Sequence, residues 1–151
     1  MQPVKIDLLI YCRWIIPIIP EDKVWENCAL AVDCEKIIGI FPQAEAAKRF
    51  SPLNTEHLDN HILMPGLVNT HGHAAMSLLR GYADDLPLTQ WLHDQIWPAE
   101  SRFVDESFVR DGTNLSMAEM IKSGTTCFAD MYFFHEAIVE EVRAAGMRCQ
   151  V

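Results

Sequence analysis

Strand-like and helix-like segments alternate over residues 62–151, and this alternation constrains the fold more than any other feature. Short runs rich in β-branched, aliphatic and aromatic residues predict strands, and longer runs with apolar residues every three or four positions predict helices. Strands separated by helices are typical of an α/β fold with a parallel sheet. The predicted order is strand 62–69, helix 105–123, strand 125–129, helix 135–145 and strand 147–151.

The helix predicted over 105–123 has recognisable ends. Asp105 is a suitable N-cap, because its carboxylate can accept hydrogen bonds from the backbone N–H groups of the first turn. Gly124 stands where a left-handed residue commonly ends a helix. Four apolar residues are predicted near one face of this helix: Phe108, Leu115, Ala118 and Ile121.

Residues 1–61 have a different character and predict a small β-rich segment. Residues 6–19 are rich in Ile, Leu, Tyr and Trp and predict a strand. Residues 28–33 and 37–40 flank a polar turn and predict a hairpin, and residues 44–50 predict two turns of helix. We therefore expect a domain boundary between residues 61 and 62.

The composition excludes several classes of protein. The 151 residues are 50% hydrophobic and 22% charged, as in a globular protein, and the formal net charge of -9 disfavours nucleic-acid binding. The N-terminus lacks the order of a signal peptide, and no run of about 18 apolar residues predicts a membrane span. Five cysteines, an odd number without a C-x-x-C pair, favour free thiols in a reducing compartment, so we expect a cytoplasmic protein.

The pair His71 and His73 is the strongest candidate for chemistry. Alternate residues of an extended chain point to the same side, so both imidazoles can face one ion. Imidazole is a favoured zinc ligand, but a catalytic zinc typically takes three protein ligands and a water. The pair alone is also compatible with two solvated residues at a strand end. His93 and His135 have the right chemistry, but their predicted places in helices or loops favour solvent exposure.

Three aspartates are further candidates for a functional role. Asp84 and Asp85 are adjacent carboxylates, and they are better explained as part of a polar loop over a pocket than as an acid-base pair. Asp130 ends the strand predicted over 125–129. It can face a pocket or cap the following helix, and both roles are open.

Four stretches together resemble the amidohydrolase superfamily. Residues 65–73, Pro-Gly-Leu-Val-Asn-Thr-His-Gly-His, resemble its first-strand signature, with Gly72 where relatives often carry Thr. Residues 81–92 and 96–100 resemble the 5'-methylthioadenosine/S-adenosylhomocysteine deaminase branch. Residues 124–132 resemble the second barrel strand of that branch, and the whole resemblance extends over residues 5–151.

This resemblance implies an α/β fold that begins a metal-dependent hydrolase (β/α)8 TIM barrel. Residues 62–151 would supply the first strands and helices of the barrel, and residues 1–61 would contribute to a composite β-sandwich. Three strands cannot close a barrel of eight. The chain is therefore expected to be incomplete.

The resemblance also implies a site with one zinc ion. His71 and His73 would bind the zinc, and Glu100 would bind substrate through ribose hydroxyls, because a carboxylate can accept two hydrogen bonds from a vicinal diol. Two further histidines, a metal-binding aspartate and a proton-shuttling glutamate are expected beyond Val151. The catalytic acid and base are therefore unknown within this chain.

The implied activity is hydrolytic deamination of 5'-methylthioadenosine or S-adenosylhomocysteine to the inosine analogue and ammonia. The expected partner is a small nucleoside, with neither nucleic acid nor membrane, and a homo-oligomer is left open. One alternative is another amidohydrolase, such as a chlorotriazine hydrolase or guanine deaminase. The other is an inactive truncated fragment with an assembly role, and little or no activity is expected of this fragment alone.

Overall fold

The computed structural model describes residues 2–151 and contains both helices and strands, which confirms the α/β class. The chain divides into two compact units, Met1–Pro65 and Gly66–Val151. The division therefore falls after Pro65, whereas the sequence pattern placed it between residues 61 and 62. Within residues 2–151, every helix is too short or too polar to traverse a lipid bilayer.

The first unit is built on one four-stranded sheet. Its elements are β1 (Val4–Ile15), β2 (Trp25–Asp33), β3 (Lys36–Pro42), α1 (Gln43–Arg49) and β4 (Phe50–Leu63). The predicted hairpin is confirmed, since β2 and β3 pair antiparallel around Cys34 and Glu35. Strand β1 pairs antiparallel with β2 and parallel with β4, so the order is β3-β2-β1-β4.

Among residues 2–151, strand β4 is the one strand that the sequence did not predict. Most of its residues are exposed, and polar residues such as Asn54, Glu56 and Asp59 interrupt any alternation. It pairs with β1 from Val4↔Phe50 to Ile15↔Leu63. Backbone hydrogen bonds to β1 do not depend on side-chain identity, so the neighbouring strand rather than local propensity makes this segment a strand.

The second unit contains a three-stranded parallel sheet with helices between its strands. Its elements are β5 (Leu67–Asn69), a 3₁₀ helix (Ala74–Leu79), α2 (Leu88–Gln90), a π-helical stretch (Trp91–Ile96), α3 (Trp97–Phe103), α4 (Glu106–Ser123), β6 (Thr125–Ala129), α5 (His135–Ala144) and β7 (Arg148–Gln150). The strand order is β5-β6-β7, and both pairings are parallel, as the alternating pattern predicted.

The apolar run 62–69 is not a single strand. Ile62 and Leu63 complete β4, and only Leu67–Asn69 form β5. Pro65 lies between the two strands, where its missing N–H removes a donor to any ladder. Leu67 and Val68 are 50% and 61% exposed on this outer strand.

Helix α4 has the predicted ends but buries a different face. Asp105 Oδ1 accepts a hydrogen bond from the Phe108 N–H at 2.8 Å, and Gly124 has φ of 86°. However, Leu115 and Ile121 are 42% and 54% exposed. The residues buried instead are Val109, Gly112, Thr113 and Met117.

Small residues explain why this face is the buried one. Gly112 lies against the backbone of Ala75 in the 3₁₀ helix, and a Cβ added at Gly112 would come 2.8 Å from the Ala75 Cα. The Ser77 hydroxyl donates to the Gly112 carbonyl at 2.9 Å. Hydrophobicity alone does not predict this close approach, because its cause is the absence of a side chain.

Replacing Gly112 by Ala is expected to lower the free energy of unfolding by about 1–3 kcal/mol, because the added methyl group overlaps the Ala75 backbone. At an open helical position a Gly→Ala change would raise the free energy of unfolding by about 1 kcal/mol. The sign of the change therefore shows whether Gly112 is packed closely against Ala75. Denaturant unfolding followed by circular dichroism measures it. The control is exposed Ala118, where Ala118→Gly should cost only the propensity difference of about 1 kcal/mol. A more stable Gly112→Ala variant would contradict the close approach.

Candidate active site

His71 and His73 lie just beyond the carboxyl end of β5. The strand ends at Asn69, whose side-chain Oδ1 accepts a hydrogen bond from the His71 backbone N–H at 3.2 Å. The ring centroids of His71 and His73 are 5.2 Å apart, with an interplanar angle of 81°. The structure therefore brings the two predicted imidazoles together, although the strand itself ends before them.

The imidazole of His73 is held by the chain that follows β6. Its Nδ1 lies 2.7 Å from the carbonyl oxygen of Met131. A carbonyl oxygen can only accept, so Nδ1 carries the proton, and Nε2 of the neutral ring keeps its lone pair. A backbone carbonyl that fixes the tautomer in this way is common beside metal-binding histidines.

Asp130 ties the carboxyl ends of β5 and β6 together. It is 7% exposed, and its Oδ1 accepts from the backbone N–H groups of Ala74 at 3.0 Å and Met131 at 2.9 Å. Its Oδ2 is buried and has no hydrogen-bond partner among residues 2–151. Burial raises the pKa of Asp130, and the two backbone amides oppose that rise. Asp130 therefore fills neither role that the sequence left open: it is not among the residues that line the pocket described below, and Phe134, not Asp130, is the N-cap of α5.

Glu100 lies in α3, and its carboxylate is fixed by Tyr132. The Tyr132 hydroxyl donates a hydrogen bond to Glu100 Oε1 at 2.8 Å. Tyr132 is only 9% exposed. Burial, followed by the interaction with Glu100, raises the pKa of Tyr132, so its hydroxyl remains a donor at neutral pH.

One pocket, with a volume of about 670 Å³, is lined by both His73 and Glu100. Its walls are mainly apolar and aromatic, as in most small-molecule sites. His71 lies outside the lining. The remaining walls come from Met76, Leu88, Trp91, Leu92, Ile96, Trp97, Met131, Tyr132, Phe133 and His135.

The other candidate residues differ in whether they line this pocket. His135 is exposed at the start of α5, as expected, and it also lines the pocket. His93 is exposed, with its ring centroid 4.2 Å from that of Trp97, and lies outside the pocket lining. Asp84 and Asp85 are exposed in the loop before α2, also outside the lining.

Sequence reasoning did not single out Tyr132. Its position just after the strand predicted over 125–129 could have indicated it, because polar groups beyond the carboxyl ends of parallel strands commonly converge on a site. Its hydroxyl contact to Glu100, 32 residues away in sequence, leaves no pattern in the sequence itself.

Three metal-type side chains meet elsewhere, in the first unit. Asp7, Asp33 and Cys34 have potential ligand atoms within 4.8 Å of one another, and among residues 2–151 they are the one such trio. The Asp33 and Asp7 carboxylates raise the pKa of the Cys34 thiol. A protonated thiol is a poor metal ligand, so this trio is weaker chemically than the histidine pair.

Two similar proteins match nearly the whole chain. The 5-methylthioadenosine/S-adenosylhomocysteine deaminase of Saccharophagus degradans is 54% identical over 147 residues, which are 96% of this chain and 32% of that protein. A crystal structure of an adenosine deaminase from Xanthomonas campestris with bound zinc superposes with a TM-score of 0.97 at 44% identity. The superposition covers 99% of this chain and 34% of the adenosine deaminase chain. The chain thus spans about a third of the length of these relatives.

A more distant structure shares the fold. An atrazine chlorohydrolase from Arthrobacter aurescens superposes with a TM-score of 0.83 over 94% of this chain and 34% of its own, at 18% identity. At that identity the likeness concerns the fold alone.

Residues 62–151 match the amidohydrolase family. This stretch is more than half of the chain and contains His71, His73 and Glu100. The resemblance read from the sequence motifs is thereby confirmed, and the chain belongs to the amidohydrolase family.

Proposed function

We propose that this chain is the N-terminal part of a longer zinc-dependent enzyme that hydrolytically deaminates 5'-methylthioadenosine or S-adenosylhomocysteine. The products would be the inosine analogue and ammonia. The observation that carries the proposal is that His73 and Glu100 line one pocket, which offers a metal-binding imidazole and an acceptor for ribose hydroxyls to the same ligand. The 54% identical deaminase and the 44% identical zinc-containing structure support it.

His71 and His73 would hold the zinc ion. Their rings lie close together, and Nε2 of His73 is left as an acceptor, which suits the preference of zinc for neutral imidazole. A catalytic zinc typically takes three protein ligands, so this proposal requires further ligands, which we place beyond Val151 with the acid-base group. Zinc bound here would supply a water activated for attack at neutral pH.

The described residues would bind and orient the nucleoside. Glu100 would accept hydrogen bonds from the ribose hydroxyls, since an ionised carboxylate is an acceptor only. Trp91 and Trp97 line the pocket and would exclude water from the ligand. These contacts position the substrate before any bond changes.

We also propose that the second unit begins a barrel and that the first unit contributes to a β-sandwich. The parallel β5-β6-β7 sheet would be the first three strands of a (β/α)8 barrel. Residues 1–61 would supply one sheet of a composite β-sandwich. An apolar pocket of about 350 Å³ in the first unit, with Ile15, Trp25 and Ile40 in its walls, supports this, because such a surface suits a second packed layer.

The proposed enzyme acts on a small molecule in the cytoplasm. All five cysteines are free thiols, which fits a reducing compartment. The net charge of -9 fits a nucleoside partner better than a nucleic acid. Homo-oligomer formation is compatible with this function.

Replacing His71 or His73 by Asn in the full-length protein is expected to remove bound zinc and to lower deamination by about 100-fold or more, because each change deletes a metal ligand. Metal content by mass spectrometry and ammonia release measure the two effects. His57→Asn is the matched control, since His57 stacks on Tyr11 in the first unit and should leave zinc content unchanged. A His73→Asn protein with full zinc content would contradict the assignment.

The substrate class is tested by a panel assayed with the zinc-loaded full-length protein. We expect turnover of 5'-methylthioadenosine and S-adenosylhomocysteine, with kcat/KM at least about 100-fold above that for guanine or a chlorotriazine, because Glu100 favours a ribose diol. Steady-state rates of ammonia or chloride release measure this. Preferred turnover of the triazine or guanine would instead support another amidohydrolase activity.

A further inference from the structure

The hydrogen bond between Tyr132 and Glu100 joins two elements that are far apart in sequence. Tyr132 belongs to the segment after β6, and Glu100 belongs to α3. The Tyr132 ring packs in the core of the second unit, so its hydroxyl is held in place by a buried ring. Glu100 is only partly buried and lines the open pocket.

The same short segment also holds the imidazole of His73. The Met131 carbonyl accepts from His73 Nδ1, and the next residue, Tyr132, donates to Glu100. Asp130 anchors this segment to the chain after β5 through the Ala74 N–H. One tripeptide therefore contacts both functional side chains, and it sets the separation between them.

We propose that Tyr132 is a positioning residue that fixes the Glu100 carboxylate to accept the two vicinal hydroxyls of a ribose. The inference rests on the proposed deaminase function. Tyr132 donates to Oε1, while Oε2 has no protein donor among residues 2–151, and Glu100 lines the pocket. A carboxylate has about four acceptor positions, so one bond from Tyr132 leaves enough for a diol.

The physical gain is preorganisation. A glutamate side chain has several rotatable bonds, and a ligand that must order it loses part of its binding free energy. In the folded protein, the hydrogen bond from Tyr132 already holds the Glu100 carboxylate in one orientation, so the ligand does not have to order it. The effect of Tyr132 should therefore appear in the binding of a diol and not in the chemical step.

The test is Tyr132→Phe in the zinc-loaded full-length protein, which keeps the buried ring and removes only the hydroxyl. With a ribonucleoside thioether, KM is expected to rise about tenfold while kcat changes less than about twofold, because the ligand must then order the Glu100 side chain itself. With the 2',3'-dideoxy analogue, which lacks the diol, KM should change less than about twofold. Tyr11→Phe removes a hydroxyl from the first unit, where the Tyr11 ring stacks on His57, and should change neither KM.

A double-mutant cycle with Glu100→Gln checks that Tyr132 acts through Glu100. Tyr132→Phe is expected to have no further effect on the ratio of the two KM values once Glu100 is Gln. Equal losses on both substrates, or additive effects in the cycle, would show a purely structural contact and overturn the inference while leaving the deaminase proposal intact. A wild-type protein with no adenosine-thioether deamination would overturn both.

Discussion

The parallel pairing of β5 with β6 is the constraint on which the candidate site depends. Because both strands run the same way, the residues that follow them emerge at the same edge of the sheet. His73 follows one strand, and Asp130 and Met131 follow the other. Their hydrogen bonds can form only if the register of the two strands is kept, so the imidazole of His73 is oriented by sheet geometry rather than by its own loop.

Close backbone approach is the second requirement of this arrangement. A Cβ added at Gly72, between the two histidines, would lie 3.2 Å from the Ala129 carbonyl oxygen, and one added at Gly66 would overlap the Thr126 side chain. Together with Gly112, these glycines let the segments around the site pack more tightly than larger residues allow. A larger residue at Gly72 would require the Ala129 carbonyl to move by a few tenths of an ångström.

Much of this could be predicted from the sequence, and the exceptions have physical causes. Helix α4, strand β6 and the β2–β3 hairpin follow from caps, turns and local propensity, and each is found where it was expected. Strand β4 and the buried face of α4 depend on what lies beside them, namely the backbone of β1 and of Ala75. Within the site, the proximity of His71 to His73 follows from their spacing, whereas the Tyr132–Glu100 contact depends on how α3 is placed by the fold.

The outer position of β5 has a practical consequence for handling the protein. Strand β5 pairs with β6 on one side, and within residues 2–151 its other side carries no strand, while Leu67 and Val68 are largely exposed. Unprotected apolar strand edges recruit copies of themselves and seed aggregates. When this segment is produced alone, low temperature, dilute refolding and a solubilising fusion partner should therefore reduce its aggregation.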